Sequence, residues 1–157
     1  MIEQTIRRVE VKRIRVTPEL SQGSTYFSAA IFVNGRMAGT AENRGDGSAT
    51  AVHMEDQAMS QMLAAWCAAQ PDHVICGVPV TMLPGLWVDL QVEAHALRVA
   101  HRQLCATATL FRLHGDPVEE WRVLDQPFSA ELRADVLADF GADKVAEFLN
   151  DRLEAVK

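Results

Sequence analysis

The stretch Tyr26-Phe27-Ser28-Ala29-Ala30-Ile31-Phe32-Val33-Asn34-Gly35-Arg36-Met37 decides the fold of this 157-residue chain. A run rich in aromatic and β-branched side chains leads into Asn-Gly, the strongest short-range signal for a hairpin with a two-residue turn. Such a turn predicts that Val33 faces Arg36, Phe32 faces Met37 and Ala30 faces Gly39. Because both faces of this hairpin carry apolar side chains, we expect it to lie centrally in a sheet covered by helices.

The residues before the hairpin predict one further strand with an irregularity. Between residues 5 and 16, Val9 and Val11 share one side of an alternating pattern, whereas Ile14 and Val16 share the other. A slip of one residue near Lys12-Arg13 reconciles the two halves, and a β-bulge is the usual cause of such a slip.

The rest of the chain adds helices and a second hairpin. Apolar residues at helical spacing predict helices over 55–69 and 86–101, with a proline-rich connector at 72–85. Strands are expected over 104–113 and 120–124, joined by a turn at Gly115. Ser129 caps a helix that ends at Gly141, and a last helix capped by Asp143 turns four residues inward: Val145, Phe148, Leu149 and Leu153. The prediction is a single α+β domain over 1–157, with antiparallel meander strands, helices packed on the sheet and the order β-β-β-α-α-β-β-α-α.

Composition excludes several classes of protein. With 48% hydrophobic and 23% charged residues, the chain has the balance of a folded domain rather than of a disordered or fibrous one. No apolar run approaches the roughly 20 residues of a membrane-spanning helix, and the first residues do not resemble a secretory signal, so we expect no membrane association. Cys67, Cys76 and Cys105 lie in apolar stretches and are predicted to be buried thiols in a reducing cytoplasm.

Charge is distributed unevenly within a net charge of -6. Residues 1–16 carry five basic and two acidic residues, whereas residues 116–157 carry five basic and eleven acidic residues. A negative chain does not favour nucleic-acid binding, although the basic strand offers a local stripe. The acidic segment either faces a basic partner or is simply solvated. The candidate nucleic-acid contacts are Arg7, Arg8, Lys12, Arg13 and Arg15.

A glycine-containing loop at 43–48 and the start of the next helix form the candidate ligand or partner site. Exposed amides in such a loop can bind anions, although the sequence matches neither the phosphate-loop nor the dinucleotide pattern. An exposed turn with left-handed glycines explains the loop equally, and carboxylates in a first helical turn are stabilised by the helix dipole. The candidate residues are Asn43, Arg44, Asp46, His53, Glu55 and Asp56.

Motifs for catalysis and metal binding are weak. Cys67, His73 and Cys76 are zinc-compatible residue types, but structural zinc sites normally present two close pairs of ligands. No catalytic serine elbow, zinc-protease helix or kinase motif occurs. We therefore predict no catalytic residue, no metal and no cofactor, and favour a protein that is not an enzyme.

The first hairpin and its loop resemble small uncharacterised proteins encoded by bacteriophages and prophages. The resemblance is carried by residues 26–47 and by a second hairpin at 108–116 with Trp121-Arg122-Val123-Leu124 and Pro127-Phe128. Ser48 departs from the pattern, which has a second glycine there. The resemblance implies a small accessory protein of a mobile element, acting in the cytoplasm of a bacterial host.

Three functional hypotheses follow, in this order. The first is an accessory protein that binds a protein partner, with inhibition of a host defence system as one form of that role. The second is a small-molecule or nucleotide binder, or an enzyme, that uses the region 43–56. The third is nucleic-acid binding through the basic strand. A homodimer is also expected if this strand lies at a sheet edge, although its basic side chains would oppose such pairing.

Overall fold

The computed structural model describes residues 5–154. It contains antiparallel sheets and helices, which confirms the predicted α+β class, and the order of elements matches the prediction in outline. The chain forms two compact units, Met1–His95 and Ala96–Lys157, and each is described by itself. The expectation of a single domain stays a prediction.

The first unit is built on a four-stranded antiparallel meander, called sheet A below. Its strands are β1 (Val9–Val16), β2 (Tyr26–Val33), β3 (Arg36–Arg44) and β4 (Ala51–Met54), with a 3-10 turn at Pro18–Leu20 between the first two. After sheet A come α1 (Gln57–Ala68), a hairpin of β5 (His73–Ile75) and β6 (Val78–Val80), and α2 (Pro84–Cys105), within which the boundary to the second unit falls.

Both helices cover one face of sheet A. Ile31 of β2 is completely buried, and so are Leu63 and Cys67 of α1 and Val88 of α2. Trp66 and Trp87 meet edge to face, with ring centroids 5.4 Å apart, where the two helices approach each other. The residues that pack against the helices alternate with residues on the other face of sheet A, where Ser28, Met37 and Thr40 are exposed.

The Asn34-Gly35 turn is confirmed, but the register beyond it differs from the prediction. Both turn residues have left-handed φ, 50° and 84°, as a type I′ turn requires. Val33 faces Arg36 and Phe32 faces Met37 as predicted, whereas Ala30 faces Thr40 rather than Gly39. A bulge at Ala38 shifts the later pairs by one residue, so the residues after it change face.

Three strands of the first unit were not predicted from the sequence. The four residues of β4 follow the glycine loop directly and pair with β3, and their segment is too short to show an alternating pattern. The connector at 72–85 contains the hairpin β5–β6, whose turn Cys76-Gly77 has φ values of 51° and 80°. Pro79 and Pro84 disfavour a helix in this connector, but they do not exclude a two-stranded hairpin.

The second unit contains a smaller sheet with the order β8-β7-β9. Its elements are β7 (Thr109–Leu113), β8 (Arg122–Leu124), α3 (Ala130–Phe140), β9 (Val145–Phe148) and α4 (Leu149–Glu154). The Gly115 turn and the Ser129 cap are confirmed, since β7 pairs with β8 and the hydroxyl of Ser129 accepts from the amide of Leu132.

The predicted last helix is wrong in its first half. Residues 145–148 pair with β7 as a strand, and only residues 149–154 are helical. Val145 and Phe148 are buried as predicted, because both a strand end and a helix turn can place these two residues against one core. Asn150 then joins α4 to β7: its Oδ1 accepts from the amide of Leu110 at 2.9 Å and its Nδ2 donates to the carbonyl of Ala108 at 3.0 Å.

The three cysteines differ in environment, so the expectation that all are buried is wrong for one. Cys67 is completely buried, and desolvation raises its pKa to about 11. Cys105 is half-buried. Cys76 is exposed because it occupies the turn of the β5–β6 hairpin.

Candidate functional site

A backbone irregularity in β1 decides which side chains face solvent. Arg13 has a φ of 54°, a left-handed conformation that non-glycine residues rarely adopt. Lys12 and Arg15 keep regular partners on β2, so Arg13 and Ile14 together oppose the single residue Ala29. This two-against-one arrangement is a β-bulge, which confirms the slip predicted near Lys12-Arg13.

The bulge turns apolar residues inward on both of its sides. Before it, Val9 and Val11 pack towards the core, and after it Ile14 does the same. Without the extra residue, Ile14 would share a face with Lys12, and one of the two sets would point the wrong way. The result is that Lys12, Arg13 and Arg15 all turn away from the helices.

We call the face of sheet A turned away from α1 and α2 the open face. The strand pairing places five cations and two carboxylates on it, although the whole chain is negative. Its residues are Arg8, Glu10, Lys12, Arg13 and Arg15 of β1 and the segment before it, Tyr26, Ser28, Ala30 and Phe32 of β2, Met37, Thr40, Glu42 and Arg44 of β3, and Ala51 and His53 of β4.

Part of this positive charge has no internal counter-charge. Glu10 accepts from Arg8 at 2.7 Å and lies 3.5 Å from the ammonium of Lys12. Among the side chains described between residues 5 and 153, no carboxylate lies within 4.0 Å of the guanidinium of Arg13 or Arg15. These two arginines therefore present uncompensated charge to solvent.

Phe32 supports the basic residues from below. The ammonium of Lys12 lies 4.9 Å from the centre of its ring, and the guanidinium carbon of Arg13 lies 5.7 Å from it. Cation–π contacts at exposed sites contribute about 0.5–1 kcal/mol each. They hold two flexible side chains over the sheet and reduce the entropy that binding a ligand would cost.

A shallow concavity of about 380 Å³ lies beside these arginines. Its lining residues include Arg13 and Arg15 of β1, Ser28 of β2, and Thr40 and Glu42 of β3. It therefore offers guanidinium groups and hydroxyls, the groups that commonly contact phosphate oxygens, together with a carboxylate acceptor. Glu42 also lies 3.9 Å from Nε2 of His53, a predicted site residue that belongs to this face.

The glycine loop predicted as a binding site is occupied by its own side chains. Asn43 is only 6% exposed, and its Oδ1 accepts from the hydroxyl of Ser24 at 2.7 Å and from the amide of Gly45 at 2.8 Å. Its Nδ2 donates to the carbonyl of Ser48 and to the hydroxyl of Thr50. Asn43 thus fastens the loop to the segment before β2.

The loop amides are likewise used within the molecule. Asp46 accepts from the amide and the hydroxyl of Ser48, and these hydrogen bonds lower the pKa of its carboxyl group. The amide of Gly47 donates to the hydroxyl of Ser24 at 3.2 Å. The arrangement is a self-capped turn rather than an open nest for an anion.

The remaining predicted residues do not converge on one site. Asp56 caps α1 by accepting from the amide of Met59 at 2.7 Å, and Glu55 forms a two-pronged ion pair with Arg36 at the end of the β2–β3 hairpin. Arg44 lies on the open face opposite Tyr26. Within the described residues, no group of three His, Cys, Asp or Glu side chains is placed to hold a metal ion.

A second concavity, of about 210 Å³, touches only one of the predicted loop residues. Asn43 lines it together with Asp89 and Glu93 of α2. Burial raises the pKa of the Asp89 carboxyl group, which accepts a hydrogen bond from the hydroxyl of Thr50. Asp89 therefore ties α2 to the end of the glycine loop.

The two N-terminal arginines contribute differently from the rest of the basic stripe. The amides of Arg7 and Arg8 donate to Oδ1 of Asn34 at 2.8 and 3.1 Å, and Nδ2 of Asn34 donates to the carbonyl of Thr5. The turn residue thereby fixes the segment that enters β1. Arg8 belongs to the open face, whereas Arg7 lies with Asn34 at the end of the hairpin.

The basic residues of the open face were predicted from the sequence as candidate site residues, but the other residues of that face were not. Ser28, Phe32, Thr40 and Glu42 join the arginines only once the register is known, and the Ala38 bulge alters that register. The signal for this register lies in two slips of the alternating pattern of apolar residues, one near Lys12-Arg13 and one at Ala38.

No protein-family model, curated protein or solved structure matches the chain. Within residues 5–154, no helix combines the length and the apolar character needed to cross a membrane.

Proposed function

We propose that this protein binds single-stranded nucleic acid across the open face of sheet A. The observation that carries the proposal is the bulge at Arg13, which places Lys12, Arg13 and Arg15 side by side on the face without helices. A left-handed non-glycine residue costs of order 1 kcal/mol, and such strain is concentrated at functional positions. The bulge thus retains the backbone strain of Arg13, which a regular edge strand without a bulge would avoid.

The charge of this face favours an anionic partner over a neutral or basic one. Its five cations against two carboxylates form a local positive field on a chain of net charge -6. Exposed charges act over a distance of roughly 8–10 Å at physiological ionic strength, so the local charge of this face matters more for binding than the net charge of the chain. A protein partner, the first hypothesis from the sequence, is favoured by the resemblance to phage proteins, the acidic C-terminal third and the lack of a catalytic motif, whereas the local charge of this face favours an anionic partner.

The shape of the face favours a single strand over a duplex. The major groove of DNA admits a helix or a two-stranded ribbon, whereas a face of four strands about 4.8 Å apart is too broad to enter it. A single strand can lie across such a sheet with its phosphates on the arginines and its bases over the hydroxyls and the concavity. The glycine loop then serves to hold the end of the sheet rather than to bind a ligand.

The origin and cellular role stay predictions from the resemblance. We retain the hypothesis of a phage or prophage accessory protein that acts in the host cytoplasm, and it is compatible with single-strand binding. Inhibition of a host defence system is a narrower hypothesis, and testing it requires identifying the protein that is bound.

Fluorescence anisotropy with a labelled oligothymidylate of about 16 nucleotides tests the proposal. For three or four phosphate contacts, the logarithm of the association constant should fall with the logarithm of salt concentration with a slope of about -2 to -3. The double substitution Arg13→Glu with Arg15→Glu should weaken binding tenfold or more, and the duplex of the same length should bind less tightly than the single strand.

A matched control is a double variant with the same change in net charge at two arginines outside the open face. Arg98 and Arg102 are exposed on α2, in the second unit, and have no ion pair among the described residues. The pair Arg98→Glu with Arg102→Glu should leave the affinity within about twofold. Equal losses in the two double variants, binding independent of salt, or equally tight binding of polyglutamate would each contradict the proposal.

A further inference from the structure

The hairpin β5–β6 exposes apolar side chains on a strand pair that nothing in the described structure extends. Val74 is 61% exposed, Val78 60% and Ile75 45%. The two strands form a sheet of their own, and within residues 5–154 no further strand pairs with either edge. Isolated two-stranded hairpins are marginally stable in water, so a further strand would stabilise this one.

The two edges of this hairpin differ in what they can accept. Because the turn Cys76-Gly77 has two residues, the flanking pair Ile75 and Val78 is hydrogen-bonded and the next pair is not. The backbone groups of Val74 and Pro79 therefore point outwards. Pro79 has no N–H and blocks the edge of β6, whereas Val74 offers both its N–H and its carbonyl at the edge of β5.

The segment also lacks the charge that would keep two copies apart. No Asp, Glu, Lys or Arg occurs between residues 73 and 88, although the chain has a net charge of -6. Like charges brought together oppose association, and an antiparallel contact between two copies of residues 73–75 brings no charged side chain of this stretch against another. An open edge on one side and a blocked edge on the other permits a closed pair rather than a growing fibre.

We propose that two copies of this protein associate through β5, antiparallel about a two-fold axis at Val74. Val74 of one protomer exchanges both backbone hydrogen bonds with Val74 of its partner, and the product is a four-stranded sheet in the order β6-β5-β5-β6. A contact through one three-residue strand is expected to bury less than the roughly 1,200 Å² of the smallest stable interfaces, so the association should be weak. This inference is independent of the proposed nucleic-acid binding.

Sedimentation velocity from about 1 μM to about 1 mM protein tests the pairing. The wild-type protein should shift from the monomer towards the dimer over this range. Val74→Lys should abolish the shift, because two lysines would face each other directly across the strand pair. Val78→Lys is the matched control, since Val78 is equally exposed but lies on β6, away from the contact, and it should keep the shift.

Crosslinking provides a second measurement that does not depend on a charge. In a hydrogen-bonded antiparallel pair the Cα atoms lie about 5.5 Å apart, within the range of disulfides. In a Cys76→Ser background, Val74→Cys should form a disulfide dimer on mild oxidation, and Val78→Cys should not.

The proposal is overturned by a protein that stays monomeric throughout the range. It is also overturned by equal loss of association in the two lysine variants, or by assemblies larger than a dimer. Equal crosslinking at positions 74 and 78 would indicate unspecific contact and would likewise reject the pairing at β5.

Discussion

Two hairpins of the first unit have turns of the same kind but lie in different environments. Asn34-Gly35 and Cys76-Gly77 both place a non-glycine residue and then a glycine in the left-handed region. The first turn joins the central strands of sheet A and fastens the preceding segment through the side chain of Asn34. The second joins two strands whose side chains remain largely exposed. The left-handed preference of the turn residues therefore specifies where the chain reverses. Whether the hairpin lies in the core or at the surface depends on the burial and charge of its strand residues.

The largest expected difference between the hairpins concerns core packing. Ile31→Ala in β2 removes a side chain that is completely buried and should lower the free energy of unfolding by about 2–5 kcal/mol. Ile75→Ala in β5 makes the same chemical change at an exposed position and should change it by about 0.5 kcal/mol or less. Urea denaturation followed by circular dichroism measures both. Similar losses in the two variants would show that the β5–β6 hairpin is part of the core.

The turn residues themselves should differ less strongly. Asn34→Gly retains the left-handed turn but removes three hydrogen bonds to residues 5–8, so we expect a loss of about 1 kcal/mol in unfolding free energy. Cys76→Gly removes no hydrogen bond of the described residues and should alter stability by a few tenths of a kcal/mol. The comparison fails if Cys76→Gly is the more damaging change.

A third turn, at Gly115, contains an ion pair between Asp116 and Arg122, and its contribution to stability should depend on pH. The carboxylate of Asp116 accepts from Arg122 and from the amide of Leu113, and these bonds lower its pKa to about 2. Because its pKa is lower in the folded state, ionised Asp116 stabilises the protein near neutral pH, and this stabilisation disappears as pH falls from about 4 towards 2. Unfolding measured across this range should show a smaller acid dependence in Asp116→Asn. An unchanged dependence would contradict the assignment.

Arg13 is the remaining non-glycine residue with left-handed φ, and its substitution should have only a small effect on stability. Arg13→Gly relieves the backbone strain of the bulge but also gives the unfolded chain more freedom, so stability should change by about 0.5 kcal/mol or less. The same variant removes an uncompensated cation from the open face and should reduce the affinity for single-stranded DNA several-fold. Paired denaturation and anisotropy measurements separate the two effects. Unchanged affinity would remove Arg13 from the proposed interface.

The parts of the fold that sequence predicted correctly depend on local signals. The Asn34-Gly35 turn follows from φ preferences alone, and the slip near Lys12-Arg13 follows from two valines and an isoleucine that must share one face. The Ser129 cap is equally local. These features require no knowledge of distant contacts.

The parts that sequence missed depend on partners far away in the chain. Residues 145–148 form a strand only because β7 offers an edge, and their apolar spacing suits a helix as well. The short β4 likewise depends on β3. The composition of the open face depends on the bulge at Ala38. The burial of Asn43 depends on its hydrogen bonds with Ser24 and Thr50, so neither feature can be predicted from a single stretch of sequence.

An NMR titration of the labelled protein with the oligothymidylate tests the central claim most directly. We expect amide shifts to concentrate in residues 8–15 of the basic strand and in the facing residues of β2 and β3, with the hairpin β5–β6 and the second unit little changed. Shifts confined to residues 43–48, to the hairpin or to the second unit would contradict it, as would no shifts at low salt.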